Sequence, residues 1–531
     1  MAYTEDIPPD PEDDAGRGFL SDADLEADPN NRHVSQRLPR ELVAEILEFA
    51  CFSGGDSLQV SATEIITTPT IYSHVSSSWR QVAIDSPRLW TSFNVDVYQI
   101  PTDISTLLDR HLNNAGLHPL RMTIRDSGPC DHSSYPTGDT GLEQRLGPHG
   151  SFAFLLLLKA VHRCCELYTY FEDSLLSAVN PSSRPDIVLP FLRLFDSNTT
   201  RPFTNHWFCD PFAEAPKLKQ AYTTFSFNPL PYHQLTSIAV GEMPCMDLCQ
   251  ILPGCRSLEK LSVWVTPSGL GSPAGTAPTV LPNLKIVSLT LESCLDTISS
   301  LLETVTVPSL NFLEIYSLDN SLESWDLSPY YNIFQSWIER SSCAESLHQM
   351  TLRFSGCFYT STSLEGLLGA CPYLENLEIA WNHTLGGIYL LGLLERLTIP
   401  EVSSGQPPLL PHVRELFIED GCPEINGMPI DPSIILALAE SRSRRGLRVR
   451  EETNPEAKNI PSLHRLDVSF CTRDILHPLK EADMEISCME RLDAQTLQRF
   501  RALNSEGTHC TVDWPEGTDP HGSGLAELDV E

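Results

Sequence analysis

Sixteen cysteines and sixteen histidines are the residues with the widest chemical reach in this 531-residue chain, and their spacing decides what they could do. His162, Cys164 and Cys165 stand together, but adjacent cysteines cannot easily both turn toward one tetrahedral ion, and no second C-x-x-C pair completes a zinc set. Cys245, Cys249 and Cys255 lack a neighbouring histidine or fourth cysteine. Cys371, just before PYLENL, falls where a small apolar side chain would be tucked inside. The cysteines are scattered, so in a reducing compartment they read as buried free thiols. There is no G-x-x-x-x-G-K-[ST], no strand-borne G-x-G-x-x-G, no H-E-x-x-H and no G-x-S-x-G. No catalytic residue, metal or cofactor is therefore expected, and the chain does not read as an enzyme. Any convergent site would have to hide in region 127–215, where no nucleophile, base and orienting group can be named.

Charge narrows the partners. The chain carries 36 basic against 70 acidic residues, a formal charge of −34, which repels nucleic-acid phosphate and anionic lipid. Neither nucleic acid nor membrane is an expected partner. The one basic cluster, SRSRRGLRVR at 441–450, places Arg442, Arg444 and Arg445 in the last turn of an expected helix, where cations offset the dipole and cap carbonyls. Residues 1–33 and 515–531 are acidic and lack apolar periodicity, so they are expected to be solvated extensions. The opening MAYTEDIPPD is acidic where a secretory signal needs basic residues, and the longest apolar run, FAFLLLL at 152–158, is far too short to span a bilayer. The expected location is cytoplasmic or nuclear.

The elements that would hold any surface in place come next. In RLPRELVAEILEFACF, Pro39 fits the first turn of a helix, and Leu42, Val43, Ile46, Leu47 and Ala50 form one broad apolar stripe. The Gly-rich, polar stretch from Ser53 to Thr70 reads as a loop. Ile71, Val75, Trp79 and Val82 then recur at helical spacing, and Pro87 should end that helix. Residues 34–95 thus read as a small all-α module, with Trp79 and Trp90 as its core.

Beyond it the informative feature is repetition. CRSLEKLSVWV, LPNLKIVSLTL and VPSLNFLEIYS begin their leucine patterns at Leu258, Leu284 and Leu310, two successive intervals of 26 residues. Further L-x-x-L-x-[ILV] copies begin at Leu347, Leu374, Leu394, Val413 and Leu463, with weaker ones near Leu120, Leu218 and Leu235. Helical segments lie between them, such as TSLEGLLGAC and DPSIILALAESRSRRG, the latter with Asp431 as N-cap, Pro432 at the first position and Gly446 as a stop. A final helix is expected before Gly507 and a closing strand. One strand and one helix per 20–29 residues is the pattern of a leucine-rich-repeat solenoid, whose units bury their apolar faces on one another and line a concave surface with strands. The fold expectation is multidomain α/β: an acidic leader (1–33), a helical module (34–95), a linking region with irregular early repeats (96–215), a solenoid of short parallel strands and helices (216–514), and an acidic tail (515–531).

The first module resembles an F-box. LPRELVAEIL is similar to the family's L-P-x-E-[IL]-x-x-x-[IL]-[LF] opening, and VSSSWRQVAIDSPRLW to its V-[CS]-x-x-W-[RK]-x-[LIV]-[AS]-x-x-x-x-L-W ending. The family usually joins these ends by a shorter segment than Ser53 to Thr70, and Val75-Ser76 stands where many members have Val-Cys. With the repeats that follow, the chain resembles the F-box and leucine-rich-repeat proteins of mushroom-forming fungi. The resemblance implies docking on a Skp-type adaptor, and through it a cullin, with the repeats selecting a protein substrate for ubiquitination. Its adaptor contacts carry over to Leu38, Pro39, Leu42, Ile46 and Leu47, and to Val75. The other expectation is a repeat scaffold for protein interaction with no ubiquitin role.

Overall fold

The computed structural model describes residues 38–53, 56–128, 141–199, 203–225, 229–243, 245–265, 278–291, 295–317, 325–326, 328–354, 357–358, 361–381, 386–400, 408–420, 424–425, 428–429, 432–453, 460–470 and 494–513. Its backbone is one long sheet of sixteen strands, all but one pair parallel, accompanied by fifteen α-helices among the described residues. In chain order the sheet strands are β1 (Leu58–Val60), β2 (Ile65–Thr67), β3 (Ser92–Asp96), β4 (Leu120–Arg125), β5 (Cys164–Tyr170), β6 (Leu194–Ser197), β7 (Gln220–Phe225) and β8 (Ser237–Met243). They continue as β9 (Lys260–Val265), β10 (Ile286–Leu291), β11 (Phe312–Ser317), β12 (Gln349–Phe354), β13 (Asn376–Trp381), β14 (Glu415–Asp420), β15 (Arg465–Phe470) and β16 (His509–Asp513). From β3 onward each strand pairs with the next in sequence, which is compatible with a solenoid-like repeat.

The leucine spacing fixes the register. The 26-residue interval places Leu261, Val287 and Leu313 side by side, with Val263, Leu289 and Ile315 two residues on. All six are buried, because alternate side chains of each strand turn toward the helices. Between β11 and β12 the helix Ser328–Ser341 buries Tyr331, Phe334, Trp337 and Ile338, and the Trp337 indole donates to the Val305 carbonyl at 2.9 Å. One apolar core runs from Val43 to Cys510, with a second small cluster of Ile399, Leu447 and Ile460 beside the helix Arg444–Thr453. No helix of the described residues is long and apolar enough to cross a membrane.

Several expectations change. Residues 53–70 are not simply a loop: β1 and β2 form an antiparallel hairpin whose β1 pairs in parallel with β3. The first module is therefore not all-α, and its sheet continues into the repeats. The expected second helix is two: α2 (Thr68–Ser73) and α3 (Ser77–Asp85), following α1 (Arg40–Ser53). They are separate because Ser76 caps α3, its hydroxyl accepting from the Trp79 amide at 3.2 Å. Pro87 ends α3 and opens a short 3₁₀ turn to Trp90. LLERLTIP is no strand, since Leu394 lies inside the helix Gly386–Leu397 and β13 pairs directly with β14. Region 127–215 supplies β5, β6 and their helices. Gly507 does end a helix, at a φ of 92° that favours glycine.

Gly446 does not stop a helix. It lies in the first turn of the helix Arg444–Thr453, which follows Pro432–Arg442 after one residue. A Cβ there would meet the Glu440 carbonyl oxygen at 1.8 Å, so the close passage of two helices requires glycine. Asp431 and the two acidic termini lie outside the described residues.

Candidate functional site

Two surfaces stand out, and the first is on α1. Its broad apolar stripe splits into two rows. Val43, Leu47 and Cys51, at i, i+4 and i+8, enter the core, with Leu47 fully buried. Leu42, Ile46 and Phe49, at i, i+4 and i+7, remain in solvent at 44%, 42% and 74% exposure. Pro39 is exposed immediately before the helix, its carbonyl accepting from the Val43 amide at 3.1 Å, and Leu38 is half-buried against the core. Arg40 at the start of α1 pairs with Asp85 at the end of α3. Ile71, Val75 and Ile84 add exposed apolar side chains on and around the other two helices. Of the expected contact residues, Pro39, Leu42, Ile46 and Val75 are open to a partner and Leu38 is partly so. Leu47 is a correction: it faces the core and is out of reach. Phe49 was missed, because a stripe read at mixed i+1 and i+4 spacing does not say which edge turns outward.

The tryptophans differ. Trp90 is buried, donating to the Ala83 carbonyl at 2.7 Å and meeting His111 edge-on at 4.8 Å. Trp79 is only half-buried, 6.3 Å from Tyr72.

The second surface is the sheet face turned away from the helices. Arginines there stack over aromatic rings on an adjacent strand and pair with carboxylates on the same or an adjacent strand. Arg121 lies 5.4 Å from the Tyr168 ring and 3.6 Å from Glu166. Arg353 lies 5.7 Å from the Tyr316 ring and donates to Glu378 at 3.0 Å. Arg465 lies 4.9 Å from the Phe417 ring and donates to Asp467 at 2.7 Å. The Tyr168 and Tyr316 hydroxyls donate to Glu166 and Glu314, and burial together with those carboxylates pushes both phenols up to about 12. A hollow of about 260 Å³ opens on this face, lined by Glu378, Phe417, Ile418, Glu419 and Asp467.

The cysteines and arginines singled out for chemistry are structural. Cys164, Cys249, Cys255 and Cys371 are buried, and burial pushes the Cys255 and Cys371 thiols up to about 12. Such thiols stay protonated and inert. His162 is exposed, and the side chain of Cys245 lies outside the described residues. Among the described residues, no three metal-ligating groups converge. Arg442, fully buried, donates to the carbonyls of Leu397 (2.8 Å), Leu410 (3.0 Å) and Leu409 (2.7 Å). Arg450 donates to Ile399 at 2.9 Å, and Arg445 lies 3.8 Å from Glu506. The basic cluster thus mainly ties its own helices to the preceding repeat. No protein-family model matches the chain, and no curated protein matches it.

Proposed function

We propose that this chain is the substrate-recognition subunit of a Skp–cullin–F-box ubiquitin ligase, with an F-box-like module docking on a Skp-type adaptor and a leucine-rich-repeat solenoid selecting a protein substrate. The observation that carries this is the exposed row Leu42, Ile46 and Phe49 on α1. Large apolar side chains at i, i+4 and i+7 are the spacing with which a helix offers anchors to an apolar groove, and a folded chain rarely leaves such a row uncovered. Pro39 and Val75 join them, and Leu47 leaves the contact set. The residues between the two F-box-like ends are accommodated by the β1–β2 hairpin, which lies on the sheet side of the module.

A second proposal, a repeat scaffold with no ubiquitin role, draws on that same hairpin. The pairing of β1 with β3 and the unbroken core make the module the end-cap of the sheet, a sufficient reason for it to exist. Deleting residues 1–95 does not separate the two, because it strips β1, β2 and most of β3 and uncovers β4 in either case. The discriminating experiment is co-purification of a Skp-type adaptor with the full chain, comparing wild type with Leu42→Ala/Ile46→Lys. Capture by wild type and loss in a folded double variant supports the ligase role. Failure of the wild-type chain to capture any adaptor sinks it and leaves the scaffold.

A further inference from the structure

We infer that the hollow on the open sheet face seats the guanidinium of an arginine from a protein partner. This rests on the proposal that the repeats select a protein substrate, and it names the side chain recognised on their open sheet face.

The register builds the hollow. Glu378, Phe417 and Asp467 stand side by side on β13, β14 and β15. Two residues further along β14, Glu419 faces Ala380 on one side and Ser469 on the other. Ala380 is small, so it leaves the space beside Glu419 open on the β13 side. A volume of about 260 Å³ holds one side chain but falls below the usual range for a small-molecule pocket.

The chemistry is one the face already uses for its own cations. Arg353 rests over Tyr316 with Glu378 as its carboxylate, and Arg465 over Phe417 with Asp467. These two guanidiniums flank the hollow and show what its walls attract. Three carboxylates line it against two flanking arginines, which leaves the site one positive charge short. Asp467 Oδ2 accepts from Arg465, while its Oδ1 is shielded from solvent and accepts no hydrogen bond among the described residues. Glu419 makes no direct salt bridge among the described residues and feels only the longer-range charge of Arg353 across Ala380, and the Phe417 ring supplies an aromatic wall. A planar fork of donors that reads carboxylates and stacks on a ring answers all three features, whereas an ammonium supplies only a point charge. The overall charge of −34 steers a basic segment toward this surface.

The test uses the full chain alone, with no adaptor present, so the fate of the adaptor proposal does not touch it. A displayed library of random twelve-residue peptides is selected on the protein. The best binder is then synthesised with its arginine intact or replaced by citrulline, which keeps the shape and removes the charge. Fluorescence anisotropy is expected to show at least a tenfold loss for citrulline and at least a fivefold loss for Glu419→Gln. Glu166→Gln, in the Arg121 unit far along the same face, should leave affinity unchanged. The inference is overturned if selection yields no binder or binders without arginine, if citrulline binds equally well, or if Glu166→Gln weakens binding as much as Glu419→Gln.

Discussion

Neighbouring residues 46 and 47 on α1 should respond in opposite ways to substitution. Leu47 is fully buried in the core, so Leu47→Ala removes three carbon atoms from an apolar site and leaves a cavity, a cost of about 3 kcal/mol. Ile46 is 42% exposed, so a substitution there forfeits only part of a side chain's burial, about 1 kcal/mol. Lysine is the replacement of choice because Glu41, Glu45 and Glu48 already make the helix acidic, and a further acid would add repulsion. In adaptor binding the order reverses: an ammonium at the centre of an apolar contact should cost at least about 2 kcal/mol, roughly thirtyfold in affinity. Denaturant unfolding followed by tryptophan fluorescence reads the first quantity, since Trp79 and Trp90 lie in the same module, and biolayer interferometry with a Skp-type adaptor reads the second. The reasoning fails if Leu47→Ala unfolds like wild type, or if a folded Ile46→Lys protein binds the adaptor undiminished.

Other outcomes follow from the interior. Arg442→Met leaves three buried carbonyls without their donor and should lower stability by about 3 kcal/mol; an unchanged thermal midpoint would remove the clamp from the account. Gly446→Ala, which in an ordinary helix interior would stabilise by about 1 kcal/mol, should here destabilise because of the Glu440 carbonyl at 1.8 Å, a reversal of sign visible in the same unfolding curves. His111 is fully buried, and burial lowers its pKa from 6.5 to about 4. Its neutral form is the one the fold accepts, so its contribution is intact above pH 6.5 and declines as pH falls toward 4, by up to about 3 kcal/mol. His111→Leu should flatten that part of the stability–pH profile, and an unaltered profile would show that another group sets the slope.

How far the sequence foretold all this depends on the range of the interaction. The strands at Leu261, Val287 and Leu313 were legible because their partners sit at a fixed 26-residue offset, and the helix before Gly507 because its stop is local. The β1–β2 hairpin was not legible. Its strands are three residues long and are stabilised by β3, some 35 positions downstream, as in the Ser57–Ser92 contacts. Leu394 misled for a related reason: L-x-x-L fits one helical turn as well as a strand, and only the direct pairing of β13 with β14 decides. The two rows of α1 were visible as apolar residues but not as inside and outside, since that depends on where α3 packs. The hollow at Glu419 was invisible, because it arises from side chains on three strands that meet only once the lateral register is known.

The unbroken sheet also acts as a ruler. Between β1, in the same module as α1, and β14, which carries Phe417 and Glu419, lie twelve strand-to-strand steps, about 58 Å measured along the sheet at about 4.8 Å per step. Each strand in that count is hydrogen-bonded to the next. The separation between α1 and the hollow is therefore set in whole strands, and gaining or losing one would change it by a discrete increment and turn one relative to the other by the twist between two strands.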